Sequence, residues 1–196
     1  MQFNILWTGR EYYSLENCLI DITEAGVDVN SVIVGRYDGK LYRVDYHLKT
    51  NPDWETEYLQ IHSRHSNREQ LLQFRSDGNG HWKIDDEKAP ELEGCMYVDI
   101  AISPFTNSLP INHLKMPEKA TREVRVIYFD LLNHEITPMQ QLYKRISESQ
   151  YHYENIPNDF EADITVDENG LVVDYPVLFT RTLILPSSYC YHKQEF

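Results

Sequence analysis

The chain has 196 residues, with 18 basic and 31 acidic side chains giving a net charge of −13. A surface this acidic repels phosphate backbones and anionic headgroups, so nucleic acid and bare membrane are poor partners. Three cysteines, Cys18, Cys95 and Cys190, are an odd number without CxxC spacing, which suits a reducing compartment better than a disulfide framework.

Along the chain the dominant pattern has period two, the mark of strands with one buried face. Weak alternation at Cys18–Ile22 comes first. Val32–Tyr37 then meets Leu41–Leu48 across Asp38-Gly39, and in the second segment Tyr42, Val44, Tyr46 and Leu48 oppose Arg43, Asp45 and His47. Asp77-Gly78-Asn79-Gly80 joins Leu71–Arg75 to His81–Ile84. Gly and Asn accept the positive φ of tight hairpin turns, so both junctions read as local hairpins.

Val98–Ile102 alternates weakly, and the strand is expected to end at Pro104, because proline cannot donate to a ladder. Phe105–Ser108 reads as an irregular crossing between sheet regions. There Thr106, Asn107 and Ser108 can satisfy backbone groups that have left the ladder. Val124–Tyr128 alternates again. Thr137-Pro138-Met139-Gln140 has the form of a helical capping box, but the alternation of Tyr151 and Tyr153 just beyond it favours a strand over Gln141–Ser147. Phe160–Val166 alternates cleanly and turns through Asp167-Glu168-Asn169-Gly170 into Leu171–Tyr175. Strands joined this way form a meander, and hence a sandwich, a roll or a barrel, with little or no helix.

A single domain over 1–196 buries enough surface to do without metals or crosslinks. No apolar run is long enough to span a bilayer. The opening Met-Gln-Phe-Asn-Ile-Leu-Trp lacks the features of a signal peptide, so a cytoplasmic location is expected.

Complete catalytic sets are missing from the sequence. It contains no nucleophile elbow, P-loop or dinucleotide fingerprint, so no cofactor is expected. Of the eight histidines, from His47 to His192, only His62 and His65 lie close, and on a strand that spacing sends them to opposite faces. No metal tract results. Carboxylates such as Glu11, Asp99 and Asp174 are candidates for an acid–base pair, which only proximity in space would make. Fourteen tyrosines is a high count, and Tyr42, Tyr46, Tyr58, Tyr128, Tyr143, Tyr151, Tyr153 and Tyr175 fall in expected strands. Such rings fill cores. They also line cavities for amphipathic guests. Trp7, Trp54 and Trp82 carry the same two readings.

The block Val98-Asp-Ile-Ala-Ile-Ser-Pro-Phe-Thr-Asn-Ser-Leu-Pro-Ile-Asn-His-Leu114 resembles the centre of the bacterial putative glycolipid-binding proteins. Trp7 with Glu11, Val34-Gly-Arg-Tyr-Asp-Gly39, Tyr42-Arg-Val-Asp-Tyr46, Trp54, Asp77-Gly-Asn-Gly-His-Trp82 and Glu93-Gly-Cys95 match in the same order. Gln141-Leu-Tyr143, Phe160-Glu-Ala-Asp-Ile-Thr-Val-Asp167 and Gly170-Leu-Val-Val-Asp-Tyr-Pro-Val-Leu-Phe179 extend the likeness to roughly Leu6–Arg181. His113 stands where the family commonly has arginine.

The resemblance implies an antiparallel spiral β-roll or incompletely closed barrel, shaped like periplasmic lipoprotein carriers, and it transfers no catalytic residues. The function expected is non-catalytic: a groove holding an amphipathic small molecule such as a glycolipid. Tyr42, Val44, Tyr46, Trp54, Trp82 and Tyr143 would line it, with Asp99, Thr106 and Asn107 at its rim. The alternatives are a scaffold with a filled core and an exposed strand edge, or a hydrolase built on Glu11 and Asp99.

Overall fold

The computed structural model describes residues 1–186, so Cys190 and His192 lie outside the described residues. One meander runs through β1 (Gln2–Gly9), β2 (Ser14–Thr23), β3 (Gly26–Tyr37), β4 (Lys40–Thr50), β5 (Thr56–His65), β6 (Arg68–Ser76), β7 (Trp82–Ile84) and β8 (Glu87–Lys88). A second follows in β9 (Tyr97–Ile100), β10 (Thr121–Asp130), β11 (Glu135–Arg145), β12 (Gln150–Ile156), β13 (Glu161–Val166), β14 (Val172–Tyr175) and β15 (Phe179–Pro186). They join edge to edge through β1 and β15 into one 15-stranded sheet whose two end strands, β8 and β9, do not pair. This is the open, incompletely closed roll. Among the described residues the helical content is one seven-residue α-helix, α1 (Ser108–Leu114), with short 3-10 turns.

The expected hairpins form where turn chemistry places them. Asp38 and Gly39 both take positive φ, 47° and 72°, the pairing that lets a two-residue turn follow the twist of β3 and β4. Asp77 and Asp167 each head a longer loop. In both, one carboxylate oxygen accepts the N–H two residues on, at 2.8 Å from Asn79 and 2.9 Å from Asn169. Along β4 the residues Tyr42, Val44, Tyr46 and Leu48 are all buried while Arg43 and Lys49 are exposed.

The ambiguous stretch is strand from Glu135 to Arg145, and so contains Pro138, but it ends before Ile146 and Ser147, which were expected to continue it. The register explains the tolerance. Pro138 lies opposite Ile127 of β10, but β12 begins its pairing only at Gln140. Where proline sits, β11 has an open side, and its missing N–H leaves no partner stranded.

The centre of the chain departs from expectation more. β9 stops at Ile100, before Pro104, and Phe105–Ser108 is not irregular. A 3-10 turn over Pro104–Asn107 runs directly into α1. Each residue from Ile102 to Ile111 is buried. The reason is topological. β9 pairs in parallel with β10, and parallel neighbours need a long crossover rather than a hairpin. That crossover passes through the inside of the roll and fills it, with Phe105 and Leu109 fully buried. Thr106 does satisfy a backbone group that has left the ladder, its Oγ1 accepting the Ile100 N–H at 3.2 Å.

Candidate functional site

The side chains expected to line a groove divide between places. Tyr42, Val44 and Tyr46 of β4 are closed within the interior of the first meander, and Trp54 is 9 % exposed beside it. Tyr42 donates to the Tyr12 carbonyl at 3.3 Å, and Tyr46 donates to Glu16 Oε1 at 2.8 Å. Trp82 lies at the far edge of the sheet, where its indole N–H donates to the Cys95 carbonyl at 2.7 Å. Asp99, Thr106, Asn107 and Tyr143 do come together, but not as an open rim. Thr106 is 2 % exposed and Asn107 6 %, because both belong to the crossover that plugs the roll.

Beside this plug is a recess of about 220 Å³. Glu11 and Tyr12, from the β1–β2 turn, form one wall. Asp99, Ala101, Ser103 and Asn107 form the floor. Tyr128, Tyr153, Phe160, Tyr175 and Phe179 close the remaining sides, with Asn155 and Asp159 at the mouth. The rings touch in series. Tyr143 underlies Tyr153 with centroids 5.3 Å apart, Tyr153 meets Tyr175 at 6.1 Å, Tyr175 meets Phe179 at 6.2 Å, and Tyr12 stacks on Phe179 at 5.8 Å. Such offset and edge contacts favour fixed ring positions.

Polar groups hold the floor in place. Asp99 Oδ2 accepts from Gln141 Nε2 at 2.6 Å, and Oδ1 lies 3.1 Å from Thr106 Oγ1. Tyr143 donates to Asn107 Oδ1 at 3.0 Å. Tyr153 donates to Asn155 Oδ1, and Asn155 Nδ2 donates in turn to Asp159 Oδ1 at 3.1 Å. Burial raises the Asp99 carboxyl above the usual range, against the lowering effect of its two hydrogen bonds. The phenols of Tyr12, Tyr128, Tyr153 and Tyr175 are all pushed up, by burial first and then by neighbouring negative charge that in each case includes Asp99. The carboxyl groups in the lining of the recess are those of Glu11, Asp99 and Asp159.

A second polar centre lies on the other side of the plug. Glu16 of β2 is 2 % exposed, and its Oε1 accepts from Ser31 at 2.7 Å, Tyr46 at 2.8 Å and Ser103 at 2.8 Å. Its Oε2 has no partner. Burial pushes this carboxyl up to about 7 despite the three hydroxyl donors. The only hint in the sequence is phase: Glu16 falls on the same strand face as Cys18 and Ile20.

A larger cavity of about 560 Å³ lies by β6–β8. Its walls include Arg75, Lys83, Lys88, Asp77, Asp86 and Glu93, and Trp82, its one aromatic, is 3 % exposed. Its apolar lining comes from Trp82, Ala89 and Pro90, without the converging rings of the recess beside the plug. Among the described residues, His152, Glu154 and Glu161 could hold a metal ion, with ligand atoms within 4.8 Å of one another. They meet only because Glu154 lies opposite Glu161 in the β12–β13 ladder, a proximity that sequence spacing conceals. Asp163 and Glu154 hydrogen-bond the two nitrogens of His152 at 2.7 and 3.0 Å and hold the imidazole above its ordinary value. The cluster is thus an ion-pair network on the outer face.

The fold and recess together define an open β-roll, β-barrel-like but not closed, with an internal plug and an aromatic, acidic hollow beside it. A family model described as "Putative glycolipid-binding" matches residues 4–181, and the chain belongs to that family. A DUF1089 family protein from Pseudomonas aeruginosa has a similar structure, with a TM-score of 0.76 and 33 % identity, covering 85 % of this chain and 91 % of that one. A β-barrel-like protein of domain of unknown function DUF1849, from Brucella abortus, is similar in fold alone. Its TM-score is 0.53 at 8 % identity, covering 93 % of this chain and 95 % of that one. No curated protein matches the chain. Among the described residues, no helix is long and apolar enough to cross a membrane.

Proposed function

We propose that the protein is a non-catalytic binding module that holds the polar head of an amphipathic molecule, such as the sugar of a glycolipid, in the recess beside the plug. One observation carries this reading. Tyr12, Tyr128, Tyr153, Phe160, Tyr175 and Phe179 converge with carboxylates and amides on a single hollow, the combination of apolar faces and a few placed polar groups by which small-molecule sites work. The family description points the same way. Size narrows it. At about 220 Å³ the hollow is smaller than the roughly 300–1,000 Å³ of drug-sized sites. It suits one ring-sized head, with any acyl tail left outside.

Binding of octyl β-D-glucoside below its micelle concentration, followed by calorimetry, tests the reading. Tyr128 and Tyr12 are only partly buried, so Tyr128→Ala and Tyr12→Ala should leave the fold intact and each weaken binding about tenfold, the loss of roughly 1.4 kcal/mol of ring contact. Affinity unchanged in both variants would move the guest elsewhere.

A hydrolase is the second reading, favoured by the presence of both Glu11 and Asp99 in the lining. Against it, both oxygens of Asp99 are already engaged by Gln141 and Thr106. Release of octanol from the glucoside that Asp99→Asn abolishes would establish it.

A further inference from the structure

We propose that the head accepted by the recess is cationic, of the ammonium class found in amino sugars and alkylamines, and that anionic heads are refused. The inference rests on the binding reading above and names the chemistry of its guest.

Three carboxylates, Glu11, Asp99 and Asp159, contribute to the lining, and no lysine or arginine among the described residues does. The nearest guanidinium in sequence, that of Arg10, is drawn to Asp174 at 2.9 Å and balanced there. The walls reinforce the sign. The face of an aromatic ring carries negative quadrupole potential, and several rings around a carboxylate form the kind of cage that takes alkylammonium groups. Here the rings of Tyr128, Tyr153 and Tyr175 stand around the Asp99 floor. The phenols of Tyr128, Tyr153 and Tyr175 are displaced upward by burial first and by Asp99 after it, and the second of these causes acts equally against a phosphate or sulfate.

Geometry adds direction. Asp99 is fixed from below by Gln141 and Thr106, whereas Asp159 is held at the mouth by Asn155. A charged nitrogen entering between them meets the charge of Asp99 and of Asp159, with the Glu11 carboxylate in the same lining. An anionic head would lose its hydration and meet carboxylates instead.

Three octyl probes of equal tail test the proposal by calorimetry in low salt: octylammonium chloride, octyl β-D-glucoside and sodium octyl sulfate. Octylammonium should bind at least tenfold tighter than the glucoside, and the sulfate should not bind. The double variant Glu11→Gln/Asp99→Asn, checked by circular dichroism for its fold, should bind octylammonium no tighter than the glucoside. Equal affinity for ammonium and glucoside, or tighter binding of sulfate, overturns the cationic assignment and leaves the binding module standing. Failure of all three probes overturns both. General attraction to an acidic surface is separable, because it survives Tyr128→Ala. An ammonium preference unchanged in that variant would overturn the proposal.

Discussion

Glu16 is the residue whose surroundings most constrain its chemistry. Three hydroxyls converge on one of its oxygens while the other has no partner. Unfolded, the group releases its proton near 4.5, whereas burial in the native state holds that proton until about pH 7. The folded state therefore binds more protons than the unfolded state between these values. Its stability is greatest below about pH 4.5 and declines as pH rises to about 7, by on the order of 3 kcal/mol for this group. Glu16→Gln keeps an acceptor for Ser31, Tyr46 and Ser103 but carries no titrating proton. Urea unfolding of parent and variant at pH 5 and pH 8 should show the variant gaining relative stability at the higher pH. Identical pH dependence in the two would mean that Glu16 ionises normally.

At the scale of elements, the crossover and the turn that supports it matter most. Phe105 is fully buried in the plug, so Phe105→Ala should cost about 3–5 kcal/mol, the usual range for emptying such a site. The β13–β14 turn touches α1 at Gly170, where φ is +69° and an added Cβ would fall 2.5 Å from Asn112 Nδ2. Gly170→Ala should destabilise by about 1–2 kcal/mol, from backbone strain and the clash together. Adding Asn112→Ala should recover the clash but not the strain, a difference that a double-mutant cycle resolves.

These elements also mark how far the sequence was legible. The alternation from Tyr42 to Leu48 and the Asp-Gly turns predicted strands and hairpins correctly, because both signals are local. The β5–β6 turn gave no such signal, since Ser66 and Asn67 reach positive φ without glycine. Pro138 suggested a helix start only because the point at which β12 begins to pair lies in the tertiary structure. In the candidate site, Asp99, Asn107 and Tyr143 were placed in the neighbourhood of the recess, as was the Glu11–Asp99 pairing weighed for a hydrolase. Tyr42, Tyr46 and Trp82 were not, for every strand tyrosine looks alike until the course of the plug determines which chamber it fills.

For the molecule as a whole, the pairing of β1 with β15 ties the two meanders together. Ile5 lies opposite Ile184, and the Trp7 indole donates to the Val172 carbonyl at 2.9 Å. With the plug touching both halves, through Ser103 to Glu16 and through Thr106 and Asn107 to Asp99 and Tyr143, neither half has a separate core. Thermal unfolding should therefore be a single transition, with near- and far-ultraviolet dichroism coincident. Phe105→Ala should move both signals together. Two resolved transitions would divide the chain into independent units. Contacts this distant in sequence also place folding in the slow, millisecond-to-second range of β topologies.

The parallel pairing of β9 with β10 sets a rule for how such a chain tolerates change in length. A span joining parallel neighbours must travel the full length of the strand and return, so residues removed between Ala101 and Ala120 shorten its reach, and residues added to its buried run, Ile102 to Ile111, have no room. Hairpin tips face water and accept either change at little cost. Tags, grafted epitopes and natural indels should therefore be accepted at outward tips such as Asp38-Gly39 and refused along the inner span.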